Sequence, residues 1–177
     1  IIVISTATTP VLVRLLGTAQ YGDYAFLLSL LAVLAVFTNS GVFNGLRKYI
    51  AEDRDSKHWK DSVFAFYFWV SLAVTGVFSL GVVVASFIPS ITSSFGESYE
   101  DYLLLAALYL FVSQFFSIGR ATLMGFGDEH RSEFANVINR LIISILGIIL
   151  VAWGYGVRGL LFAHLVASLV AAMMVFP

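Results

Sequence analysis

The run Asn44–Asp61, NGLRKYIAEDRDSKHWKD, is the one long polar stretch in an otherwise apolar sequence. It holds Arg47, Lys48, Arg54, Lys57 and Lys60, five of the chain's ten Lys and Arg residues. On either side lie long apolar segments separated by short polar turns. If those segments cross a bilayer, this stretch names the cytoplasmic face, and every other segment takes its direction from it. Glu52, Asp53, Asp55 and Asp61 interleave with the cations and leave a net charge of about +1. That makes the run a poor anion patch but a good orienting signal, because acidic residues count little in the positive-inside rule.

Composition supports the membrane reading. Of 177 residues, 59% are hydrophobic and 12% charged, whereas soluble domains carry about 25% charge and about 45–50% apolar residues. So few charges cannot cover the surface of a soluble domain. With no cysteine, disulfides, thiolate metal sites and cysteine nucleophiles are excluded. The chain opens inside one apolar run and closes inside another, as expected of a piece of a longer protein.

A helix needs about 20 apolar residues to cross a hydrocarbon core of about 30 Å. Six segments approach that length: about 1–16, 24–46, 62–88, 101–123, 134–153 and 157–176. Pro10 should kink the first, and none alternates with the period of two of a barrel strand. The expected fold is all-α and polytopic, a six-helix transmembrane bundle forming one unit over 1–177. Counting Lys and Arg by connection gives seven on one face, with Arg120 and Arg131 joining the opening run, against Arg14 and Arg158 on the other. This bias puts both chain ends and the 44–61 loop in the cytoplasm. Tyr and Trp near the segment ends, such as Tyr24, Tyr49, Trp59, Tyr99 and Trp153, fit an interfacial belt.

Polar residues inside the segments fall in helical stripes: Asn136, Asn139, Arg140, Ser144 and Gly147; Tyr67, Ser71, Thr75 and Ser79; Ser113, Gln114, Ser117 and Arg120; Thr38, Asn39, Ser40 and Asn44; His164 and Ser168. Such stripes either pack helices together or line a hydrated cavity. Arg140 sits about 9 Å beyond Phe134 at 1.5 Å per residue, and no Asp or Glu lies deep in any segment to pair with it. It either snorkels to the near face or meets an anion such as a phosphate through its guanidinium fork. A lone membrane histidine, His164, suits a hydrogen bond between helices. His58, His130 and His164 have no metal spacing, and no phosphate loop or nucleophile elbow is present. No cofactor and no enzyme activity is expected.

Arg14–Tyr24, RLLGTAQYGDY, with its Arg-Leu-Leu-Gly followed by Tyr-Gly, resembles the polysaccharide transporter family, the flippases of O-antigen and other lipid-linked oligosaccharides. That family belongs to a superfamily shared with the multidrug and toxic-compound extrusion transporters. The resemblance continues in order through Ser40-Gly41 and Arg47-Lys48-Tyr49-Ile50-Ala51, then Arg120 and Leu123-Met124-Gly125-Phe126-Gly127, then Gly154-Tyr155-Gly156 with Gly159. It implies two six-helix lobes, usually twelve to fourteen helices, working by alternating access. This chain would be the N-terminal lobe, with a C-terminal lobe and a polyprenyl- or dolichyl-diphosphate-linked oligosaccharide as partners. The family's cavity is commonly cationic. Arg140 and Arg14 are therefore the candidate phosphate contacts, and Asn139, Asn136, Gln114 and Asn39 the candidate sugar contacts. An extrusion antiporter for cationic drugs would want acidic cavity residues. A scaffold subunit would consume its polar stripes in packing.

Overall fold

The computed structural model describes residues 2–39, 41–52, 57–89 and 99–176, with the side chains of 2–7 and 57 left aside. Every regular element among them is helical: α1 (Ile2–Asn39), α2 (Val42–Ala51), α3 (Lys57–Ser86), α4 (Tyr99–Gly125), α5 (Glu129–Ala152) and α6 (Gly156–Val175). Five of these, all but α2, are long and apolar enough to cross a membrane. The all-helical, polytopic architecture read from the sequence is the observed one.

α1 is not straight. Gly17 has φ 74° and ψ 169°, a backbone conformation open essentially to glycine alone. Thr8, Thr9 and Leu28 line one cavity of about 180 Å³. In a continuous helix Thr8 and Leu28 would stand about 30 Å apart. The chain therefore folds back at Gly17, and α1 is a hairpin of two arms, 2–16 and 18–39.

Helix boundaries differ from the sequence expectation in an instructive way. Thr18–Asp23 was expected to be a turn and is helical, as are Lys57–Asp61 and Glu129–Glu133. Polarity reports where the apolar span ends. The helix can continue past that point, because its hydrogen bonds are internal. The Asp128 carboxylate starts α5 by accepting the Arg131 backbone N–H at 3.2 Å.

The second expected segment, 24–46, is a correction. It stops at Asn39, Gly41 turns the chain with φ 81°, and α2 starts at Val42. Much of the 44–61 run is thus helix rather than loop. Leu46 and Ile50, four apart, are buried, while Arg47 and Lys48 are exposed. The Ile50 side chain fits against Gly125 of α4, where a Cβ would meet it at 2.9 Å. Residues 53–56 and 90–98, with Arg54 and most of the Ser90–Glu100 connection, lie outside the described residues.

α6 is the centre of the bundle. Twelve of its 20 residues are buried, and it packs mainly on α5 and α4. Gly147 faces Leu160, and Gly159 faces Leu150. Small residues allow this close approach, which supplies the dispersion contacts that hold membrane helices together. Connections then alternate between the two ends. At one end Tyr99 Oη donates to Asp23 Oδ1 at 2.8 Å and Arg158 pairs with Asp101 at 2.6 Å. At the other, Arg120 pairs with Glu133 at 2.6 Å, Arg131 Nε donates to the Met174 carbonyl at 3.2 Å, and the Lys60 ammonium lies 5.6 Å from the Phe126 ring centroid.

Candidate functional site

A polar cavity opens midway along the bundle. Thr8, Thr9 and Leu12 come from the first arm of α1, Tyr21, Tyr24 and Leu28 from the second, Arg140, Ile143 and Ser144 from α5, and His164 from α6. Arg140 stands eleven residues into α5, about 16 Å along it, and His164 eight residues into the antiparallel α6, about 12 Å from the opposite end. Both are mid-span.

The walls are tied together by hydrogen bonds. Thr8 Oγ1 donates to Ser144 Oγ at 3.1 Å, joining the first arm to α5. Tyr24 Oη and His164 Nε2 are 2.8 Å apart, the imidazole tautomer deciding which donates. The His164 ring meets the Tyr109 ring edge to face, with centroids 5.2 Å apart, and its Nδ1 is buried with no hydrogen-bond partner. The expected role of His164 as a link between helices matches this placement. The Arg140 side chain is exposed and has no ion-pair partner among the described residues. A guanidinium near the middle of a span costs about 2.5–3.5 kcal/mol on insertion scales unless it is solvated or paired. Among the described residues no carboxylate lines the cavity. Its chemistry is that of a cation with hydroxyl and phenol donors, suited to an anionic, hydroxyl-bearing ligand.

The other expected site residues disperse. Asn139 was expected on the face of Arg140. Neighbours on a helix are about 100° apart, and Asn139 is instead buried, its Nδ2 without a partner. Asn136, one turn before Arg140, donates to Glu133 Oε2 at 3.3 Å. Gln114 is buried and donates to Ser71 Oγ, while Ser79 Oγ donates to the Ala107 carbonyl at 2.8 Å. The α3–α4 stripe is thus taken up by packing. Arg14 is exposed three residues before Gly17 and does not line the cavity. Asn39 lines a separate pocket with Asn44, Arg47, Ser117 and Arg120. Sequence reading missed Thr8, Thr9 and Tyr24 as wall residues. The threonine pair beside Pro10 was the available signal, since polar groups next to a mid-span proline commonly answer its freed carbonyl.

A bundle with five helices of membrane-crossing length and a polar cavity between them defines a polytopic membrane protein. Within that class, residues 11–177 match a family described as polysaccharide biosynthesis protein, and the chain belongs to it. It is 26% identical over 162 residues to the Lipid III flippase of Escherichia coli (strain K12), and equally to the Lipid III flippase of Shigella flexneri. Each alignment covers 91% of this chain and 38% of the relative, so the chain spans less than half the length of these curated relatives. No solved structure matches the chain.

Proposed function

We infer that this chain is the N-terminal lobe of a transporter that moves a lipid-linked oligosaccharide across the cytoplasmic membrane by alternating access. The observation that carries the reading is the mid-span cavity in which Arg140 faces no carboxylate, in a chain whose relatives are named flippases. Arg140 would neutralise the phosphate of the substrate. Thr8, Ser144 and Tyr24 would meet its hydroxyl groups. The lipid tail would remain in the bilayer, against a C-terminal lobe. The cation-rich end, with α2, would face the cytoplasm, and Arg14 at the other end would anchor the first arm at the outer interface.

A drug antiporter of the same superfamily is less well supported, because a cationic drug needs a carboxylate and the cavity lining has none among the described residues. A scaffold subunit would leave no mid-span cation without a partner. The test is replacement of Arg140 in the full-length protein, with surface glycan measured in cells. Arg140→Ala should lower glycan at least about tenfold, the scale of one lost charge-assisted contact. Arg140→Lys should recover part of it, since lysine keeps the charge but not the fork. Normal glycan with Arg140→Ala, at normal protein levels, would remove Arg140 from the mechanism.

A further inference from the structure

The pocket that receives Asn39 lies at the cation-rich end, between the end of α1, α2 and α4, and has a volume of about 350 Å³. Among the described residues its polar lining is Asn39, Asn44, Arg47, Ser117 and Arg120, with no carboxylate. That volume is within the range of about 300–1,000 Å³ typical of small-ligand sites.

The two guanidiniums are in different states. Arg120 is fixed: Nη2 pairs with Glu133 Oε1 at 2.6 Å, Nε donates to Ser132 Oγ at 3.3 Å, and the group lies 5.7 Å from the Phe116 ring centroid. This leaves Nη1 uncommitted. Arg47 is exposed and its guanidinium has no ion-pair partner among the described residues. It is held in place from behind, because Leu46 and Ile50 bury the other face of α2 against the bundle. One oriented and one free guanidinium, with two carboxamides around them, form the donor set of a phosphate site, while the Ser117 hydroxyl donates to the Ser113 carbonyl at 3.0 Å.

Position adds to the argument. Leu28 of the mid-span cavity and Asn39 of this pocket are eleven residues apart on one arm of α1, close to three whole turns and about 16 Å. The two pockets therefore open on the same side of α1, one at the bundle end and one mid-span.

We propose that the Arg47–Arg120 pocket is a second anion site, which takes a phosphate or diphosphate group at the membrane interface independently of Arg140. The phosphate can belong to a lipid headgroup or be free in solution. In a flippase it would meet the substrate's diphosphate before the mid-span cavity does. That role rests on the transport reading, whereas anion binding does not, and the experiment reads binding alone.

Purified full-length protein in neutral detergent is titrated with inorganic pyrophosphate by calorimetry. In parallel, it is placed in phosphatidylcholine nanodiscs containing phosphatidylglycerol, and retained lipid is read by native mass spectrometry. Arg47→Gln should weaken pyrophosphate binding or phosphatidylglycerol retention about tenfold, the loss of about 1.4 kcal/mol. Arg131→Gln, which removes a cation at the same end outside the pocket, should change either by less than about twofold. Both variants are made in an Arg140→Ala background, so that anion held in the mid-span cavity does not enter the reading. Because Arg120 also holds Glu133, Arg47 is the decisive variant. Pyrophosphate binding shows a site open to water, and retention of the lipid alone shows a headgroup site; either supports the assignment. Equal loss in Arg47→Gln and Arg131→Gln would reduce it to diffuse surface charge, and the failure of both probes to bind would overturn it.

Discussion

At the residue scale, the polar side chains of this bundle divide by what they touch. Gln114 is buried and committed to Ser71, whereas Arg140 is exposed and lines a cavity. The division predicts opposite responses to substitution. Ser71→Ala strands the Gln114 amide, and should lower stability in detergent by about 1–2 kcal/mol while leaving surface glycan unchanged. Ser71→Ala combined with Gln114→Leu removes both partners, and should recover much of that loss. Arg140→Leu removes a costly mid-span cation, and should hold or raise the thermal midpoint while glycan falls. A fall in midpoint for Arg140→Leu as large as that for Ser71→Ala would identify Arg140 as a packing residue. The sequence marked both residues as polar and mid-span, and could go no further. Three- and four-residue steps define a stripe, but the partner across the interface comes from another helix. The same limit hid the parting of Asn139 from Arg140, which adjoin in the chain and point about 100° apart.

At the element scale, hydrophobic runs located the spans but not the ends or the breaks. The hairpin in α1 depends on Gly17, which sits among residues that are themselves helical. A Cβ there would meet nothing within 4 Å, so the penalty for a side chain is backbone strain alone. Gly17→Ala should therefore destabilise the protein by about 1–3 kcal/mol. Gly22, five residues on, is helical and equally open around its Cβ. Gly22→Ala should be neutral or stabilise by about 0.5–1 kcal/mol. Thermal unfolding of the two variants side by side in one detergent checks the pair, and equal midpoints would remove Gly17 as the source of the reversal. α2 teaches the complementary lesson. Its apolar residues Phe43, Leu46 and Ile50 have helical spacing, so the element was legible within the 44–61 run. The dense charges of that run drew attention to orientation instead, and the break at Gly41 needs φ 81°, which no composition reveals.

At the scale of the whole molecule, the alternation of ends ties charge to direction. Arg47, Lys48, Lys60, Arg120 and Arg131 share one end of the bundle, while Arg158 stands at the other beside Asp101. On the positive-inside rule we propose that the first end faces the cytoplasm. Two features make the assignment testable with small changes. The chain contains no cysteine, so its own residues give no background to thiol labelling. Arg131 and Arg158 are both exposed and lie at the ends of consecutive antiparallel helices, α5 and α6. In full-length protein freed of any other cysteines, Arg158→Cys should react with a membrane-impermeant maleimide added to intact cells. Arg131→Cys should react only after permeabilisation or in inverted vesicles. Each change removes one cation, and the cytoplasmic excess survives the loss of Arg131, so neither should invert the protein. Labelling of both positions from one side would contradict the antiparallel course of α5 and α6. Labelling with the sides exchanged would keep the fold and reverse its orientation, placing the Arg47–Arg120 pocket on the outer face of the membrane.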